Sequence, residues 1–318
     1  MMKDHPVTKS PDMSVWSGRI DDEGETALRW HQCVSPWQAE AVPGVALIGF
    51  SCDAGVRRNH GRPGAAGGPQ AIRQVLAVQP WHLKTAVYDA GDVVCVDDAL
   101  EDAQAELSAQ LKQLLGGGHF PIVLGGGHEV AFGSYQGLAG HLAESPEMPR
   151  IGIINFDAHL DMRLSLKASS GTPFAQIYRD CQVNGRPFLY LCAGVAETGN
   201  TAALLDNAHR LGVQLIFDDE LQNGLSSQVA ERLQQFIDQC DVIYLSVDID
   251  VLPAAQAPGV SAPAAFGVPL ATLEKMIDQI RASRKLRLAD LAEFNPQFDQ
   301  DRITARVAAR LIHRLTRP

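Results

Sequence analysis

Apolar residues in this chain fall into short unbroken runs, set between longer segments where they recur every three or four positions. The strand-like runs lie near residues 45–51, 86–90, 121–125, 151–157, 187–193, 213–217, 242–248 and 286–293. Helical spacing fills the gaps, for example over 98–115, 200–211, 226–239, 270–281 and 299–316. A strand that is apolar on both sides must be covered on both faces, so the alternation predicts an α/β chain built on a parallel sheet. Residues 1–44 are different: polar, proline-bearing and weakly periodic. They read as an N-terminal arm, with a short helix around Glu25–His31, ahead of one domain over residues 45–318. No linker and no internal repeat divides that domain.

Two of the apolar runs end in acids. I-G-I-I-N-F leads into Asp157, His159 and Asp161, and V-I-Y-L-S-V leads into Asp248 and Asp250. Carboxylates two apart on a strand point to the same side. Charged side chains are rarely buried unless paired or bound to metal. His128, in G-G-G-H-E after another strand-like run, is the natural sixth member. All six fall at strand carboxyl ends, where open parallel sheets bind ligands. Four aspartates with two imidazoles favour Mn, with Mg, Fe or Co as alternatives. Four carboxylates also balance the charge of two divalent ions, and such a pair can acidify a water held between them.

Composition narrows the partners. The chain has 318 residues and a formal charge of -10, which argues against nucleic acid or an anionic membrane surface as a partner. No apolar run reaches spanning length, and the first residues lack the apolar stretch of a signal peptide. The six cysteines are dispersed without a CxxC pair, as expected of free thiols in a reducing cytosol. G-G-G-H-E lacks the G-K-[ST] of a phosphate-binding P-loop, which leaves a nucleotide-binding module without support.

The boxes G-G-G-H-E, N-F-D-A-H-L-D, S-V-D-I-D-V-L-P-A-A-Q-A-P-G and D-L-A-E-F-N-P, in that order, resemble the ureohydrolase (arginase/agmatinase) family over roughly residues 45–316. The resemblance implies a three-layer αβα sandwich around a parallel eight-stranded sheet, and a homo-oligomer. It implies two Mn²⁺ ions per subunit cleaving a C–N bond of an amidine or guanidine. His128, Asp157, Asp161 and Asp248 would hold one ion. Asp157, His159, Asp248 and Asp250 would hold the other. Glu293 would face the substrate nitrogens, with Asp161 as a proton relay.

Three departures point within the family. The histidine that serves arginases and agmatinases as a proton shuttle is replaced by Phe174, Val251–Pro253 follow Asp250 where a further aspartate is common, and the loop 49–69 is long and basic. These are similar to the cytoplasmic branch that splits N-formimidoyl-L-glutamate into L-glutamate and formamide in histidine degradation. That substrate carries two carboxylates, which suit guanidinium forks. Arg163 is the foremost candidate to bind them, followed by Arg62 and Asn59, with Asn200 and Thr201 weaker. Arg57 and Arg58 read as a solvated surface pair. The alternatives are a urea-releasing enzyme acting on a guanidino compound, a single-zinc deacetylase relative, and a scaffold or metal-storage protein that retains the boxes.

Overall fold

The structure is a computed structural model that describes residues 7–317. The ends of the predicted arm (residues 1–6) and of the predicted domain (residue 318) lie outside the described residues. The strands are β1 (Val7–Lys9), β2 (Ser35–Pro36), β3 (Val45–Ser51), β4 (Val87–Val94), β5 (Phe120–Leu124), β6 (Ile151–Phe156), β7 (Leu189–Val195), β8 (Gln214–Phe217), β9 (Val242–Asp248) and β10 (Leu286–Ala292). The helices are α1 (Trp30–Cys33), α2 (Ala54–Arg58), α3 (Gly68–Ala77), α4 (Leu100–Gly116), α5 (Val130–Leu142), α6 (Pro173–Val183), α7 (Ala202–Arg210), α8 (Ser227–Gln239), α9 (Leu270–Ala282) and α10 (Ile303–Thr316).

The sheet runs β1-β4-β3-β5-β10-β9-β6-β7-β8, with β2 also on β4. The stretch from β4 to β8 is the expected set of eight parallel strands. Two short arm strands widen it: β1 joins antiparallel and β2 parallel. The arm is tied down further by Trp16, whose indole N–H donates to Asp89 at 2.7 Å, and by Trp30, which is fully buried. In place of one short helix at Glu25–His31 there is a 3₁₀ turn at Gly24–Ala27 and then α1.

Both faces of the sheet are covered. Ile72, Leu76, Leu233, Ile277, Leu311 and Ile312, from α3, α8, α9 and α10, form one core. Leu107, Leu111, Leu138, Phe174, Ile177 and Ala208, from α4 to α7, form the other. Each fully buried leucine, isoleucine or phenylalanine among these contributes about 1.5–3 kcal/mol relative to exposure. Helix α5 escaped the periodicity because it is buried on nearly every side and contains Gly133, Gly137 and Gly140. An all-round apolar helix has no stripe to detect. A side chain at Gly133 or Gly137 would press on α4, so these glycines let the two helices approach closely.

Candidate metal centre and its adjoining pocket

Five adjacent strands in the middle of the sheet deliver the site. The turn after β5 carries His128, the end of β10 Glu293, the end of β9 Asp248 and Asp250, the end of β6 Asp157 to Asp161, and the loop after β7 Asn200. The three glycines before His128 are needed for close packing: a Cβ at Gly126 would collide with the Cys52 backbone, and one at Gly127 with Glu129 and Val56. Asp161 and Glu293 have left-handed backbones, with φ of 45° and 64°. Non-glycine residues held there cost roughly 1–3 kcal/mol and cluster at functional sites.

All six residues expected from the sequence come together, in two groups. His128, Asp157, Asp161 and Asp248 form one, and Asp157, His159 and Asp250 the other; within each group the candidate ligand atoms lie within 4.8 Å of one another. His128 Nδ1 is 3.1 Å from Asp157, 2.9 Å from Asp161 and 3.2 Å from Asp248. It is buried and makes no well-directed hydrogen bond to any of them. His159 Nδ1 is 3.2 Å from Asp250 and 3.6 Å from Asp157. Asp157 and Asp248 also accept backbone N–H groups two residues on, from His159 at 2.7 Å and Asp250 at 2.8 Å, which fixes each turn after the strand.

The charges in this cluster are not balanced by protein alone. Burial pushes Asp248 well above its usual carboxylate range, helped by Asp250 and Asp157, and burial with Asp157 also raises Asp161. Burial pushes Asp157 up too, but the imidazoles of His128 and His159 outweigh it and hold that carboxyl low. Asp250 foremost raises His159, against burial. Burial opposes charge on His128, yet its three acid neighbours raise it. Two imidazoles cannot neutralise four carboxylates, so a donor set of oxygens and an unpaired imidazole nitrogen fits divalent cations.

Around the cluster lies polar support that the sequence reading missed. His128 Nε2 lies 2.9 Å from Ser246 Oγ, which donates to Asp290 at 2.6 Å; the Tyr244 hydroxyl donates to the other Asp290 oxygen. Ser246 with a spent proton must accept from Nε2–H, which leaves Nδ1 as the free lone pair. Such outer partners fix a ligating imidazole's tautomer. Asn155 donates to Asp157 at 3.0 Å. Ser246 lies opposite both Asp290 and Asn155 in the sheet register. The detectable signal was a polar residue inside an otherwise apolar strand: Asn155, Ser246 and Asp290.

A cavity of about 320 Å³ opens from the cluster, lined by Asn59, His60, Arg62, Arg163, Asn200, Ser261 and Glu293 among others. Among the described residues the Arg163 side chain has no hydrogen bond or ion pair. Asn59 donates to Ser170 at 3.2 Å and borders the same Gly171 that Arg163 packs against. Arg62 and Asn200 face the cavity with most of their polar side-chain atoms already engaged. Arg62 donates to the Ser261 carbonyl at 3.0 Å and to the Val260 carbonyl, and lies over Phe298. Asn200 bonds the backbone of Ala158, Leu160 and Ala196, and Thr201 caps α7. Arg57 and Arg58 pair with Asp53, Asp98 and Glu101 outside the cavity.

Glu293 accepts the His128 backbone N–H at 2.8 Å, and its second oxygen is buried without a partner. Burial, with Glu129 nearby, pushes this carboxyl up to about 8. Phe174 is fully buried, stacked on Tyr190 at 4.5 Å and edge-on to His128 at 5.4 Å. The cysteines are all free. Among the described residues no helix is long and apolar enough to cross a membrane.

The chain is 57% identical over 319 residues to the formimidoylglutamase of Aeromonas hydrophila, covering 99% of each protein. Among solved structures it is similar to formimidoylglutamase from Bacillus subtilis, with a TM-score of 0.82 at 23% identity over 94% of each chain. It is also similar to Trypanosoma cruzi formiminoglutamase with Mn²⁺, with a TM-score of 0.75 at 27% identity over 87% of this chain and 95% of that one. The sequence matches the arginase family over residues 43–316, a span containing all six clustered residues and every strand that carries them. With the parallel eight-stranded core and the paired acid groups at its carboxyl edge, the chain belongs to the arginase family.

Proposed function

We propose that this chain hydrolyses N-formimidoyl-L-glutamate to L-glutamate and formamide at a two-manganese centre, as in histidine degradation. The observation that carries this reading is the adjacency of two acid groups suited to divalent ions and an unpartnered guanidinium, Arg163, in one cavity. His128, Asp157, Asp161 and Asp248 would hold one ion; Asp157, His159 and Asp250, with Asp248 shared, would hold the other. The Mn²⁺ of the Trypanosoma cruzi relative supports that choice of metal. Two such ions polarise a substrate and supply a water acidified to near neutral pH.

The remaining chemistry belongs to the chain's own side chains. Arg163 and Asn59 orient the glutamate carboxylates, which an arginine fork can bind in charge-assisted pairs. Arg62 and Asn200 hold the cavity wall in shape through their backbone contacts. The free Glu293 oxygen accepts an N–H of the formimidoyl group. Asp161, beside His128 at the cavity floor, passes a proton to the departing glutamate nitrogen. Phe174 occupies the position of the family's shuttle histidine and seals His128 from water.

The same reading divides the chain into an arm over 1–44 and a catalytic unit over 45–318. It makes the protein a cytoplasmic homo-oligomer whose partner is a small anionic amidine, with neither nucleic acid nor membrane as partner. The deciding experiment is an Mn²⁺-dependent product assay with N-formimidoyl-L-glutamate beside agmatine, arginine and 4-guanidinobutyrate. Formamide and glutamate from the first compound alone are expected. Urea from a guanidino compound would overturn the substrate assignment while keeping the metal centre.

A further inference from the structure

Cys52 and Cys95 sit side by side one step beyond the paired ends of β3 and β4. Ser51 lies opposite Val94, and the Cys95 N–H donates to the Ser51 carbonyl at 3.2 Å. Neighbouring strands run about 4.8 Å apart, inside the ~4.4–6.8 Å between Cα atoms that a disulfide spans. Both side chains face the same side of the sheet, Cys52 within one core layer and Cys95 packed against it. Cys52 is buried and Cys95 partly exposed, so a solvent oxidant meets Cys95 first. The Cys52 contact foremost, with Arg57 and Arg58 nearby, holds the Cys95 thiol below its ordinary range. This favours the thiolate that attacks disulfides.

Cys52 is mechanically coupled to the metal centre. Its carbonyl accepts the Gly127 N–H at 3.0 Å, and a Cβ at Gly126 would strike its backbone, so the two segments have no slack between them. The Gly126 carbonyl accepts the Glu293 N–H at 2.8 Å, and Glu293 accepts the His128 N–H at 2.8 Å. The Cys52 thiol itself donates to Glu129 at 3.5 Å, a contact that loss of its hydrogen removes.

We propose that Cys52 and Cys95 form a reversible disulfide that lowers turnover by shifting the Gly126–His128 turn. The oxidant is a small-molecule disulfide of the glutathione type. Cys95 thiolate attacks one of its sulfurs and expels one thiolate; Cys52 then loses its proton and attacks the mixed disulfide at Cys95, expelling the second thiolate. Two thiols of the protein are oxidised and one disulfide of the reagent is reduced to two thiols.

The turnover part of this proposal rests on the function proposed above; the disulfide itself does not. Reduced, Mn²⁺-loaded protein is incubated with oxidised glutathione, then alkylated and mapped by peptide mass spectrometry beside a turnover assay and circular dichroism. The expected result is a Cys52–Cys95 cross-linked peptide, a chain mass lower by two hydrogens and an unchanged dichroism spectrum. Turnover should fall about tenfold or more, since a ~1 Å misplacement at a site can cost ~100-fold. Dithiothreitol should restore it. Cys95→Ser should keep basal turnover and lose the response to oxidant. Two unlinked thiols, a cross-link elsewhere, or the Cys52–Cys95 bond with turnover unchanged would each overturn the proposal. If the reduced protein turns over no amidine, the function proposed above fails. The peptide map and the change in Mn²⁺ affinity on oxidation then decide this proposal.

Discussion

The two halves of the metal centre share Asp157 but are built to different depths. The His128 half is closed: its imidazole is 0% exposed and faces three carboxylates, and the Ser246–Asp290–Tyr244 chain stands behind it. The His159 half is open: its side chain is 29% exposed, it lines the cavity, and no side-chain hydrogen bond fixes its other ring nitrogen among the described residues. A ligand held from behind is pre-oriented, and one facing solvent is not. The deep half is therefore expected to hold its ion more tightly; its imidazole is shut away while Asp161 and Asp248 still reach the cavity beside His159 and Asp250.

The largest expected effect is the loss of what the halves share. Asp157→Ala should remove both ions and all turnover with the fold retained, read by metal content and circular dichroism; full occupancy would mean that Asp157 belongs to neither group. Next come the halves taken separately. His128→Asn should strip the deep ion and His159→Asn the shallow one, and on dialysis against metal-free buffer, followed by plasma mass spectrometry, the ion left in His128→Asn should be lost further than the ion left in His159→Asn. Equal losses would erase the distinction.

Ser246→Ala tests the support behind the deep half. It should weaken binding of one ion by about 10–100-fold with the other unchanged, the usual cost of losing an outer partner. Arg163→Gln probes the open side: a lost charge-assisted hydrogen bond is worth about 1.5–3 kcal/mol, so KM should rise about 10–100-fold with kcat nearly constant. An unchanged KM would place the substrate carboxylates elsewhere.

The smallest effect is one of pH. Acid neighbours raise the pKa of both imidazoles in the metal-free cluster, so protons occupy the positions that cations need. Metal uptake must displace them, and affinity should rise with pH and fall in acid, with protons released on binding. Calorimetry of Mn²⁺ binding in buffers of different ionisation enthalpy reads that release. No release would mean that the imidazoles are already neutral.

The difference between the halves was only partly legible beforehand. Asp157, His159, Asp161, Asp248 and Asp250 announced themselves because acids at the end of apolar strands are costly without a partner. Ser246 and Asp290 did not, since each is a single polar residue whose meaning depends on its neighbour in the next strand. Arg62 looked like a ligand from its basic loop, and only the fold shows its guanidinium on the Ser261 and Val260 carbonyls. Phe174 was noticed for the histidine it replaces, while its stacking between Tyr190 and His128 required the packed structure.

By itself the sequence determined what depends on local pattern. The eight parallel strands followed from unbroken apolar runs, and the six clustered residues from acids and histidines at their ends. Tertiary structure decided what depends on register and burial. It set which strands are neighbours, how deep each imidazole lies, that Arg163 stays unpaired in the cavity among the described residues, and that two arm strands extend the sheet. The physical reason is range: periodicity is a property of neighbours along the chain, whereas a hydrogen bond between Ser246 and Asp290 spans 44 positions and exists only once the strands align.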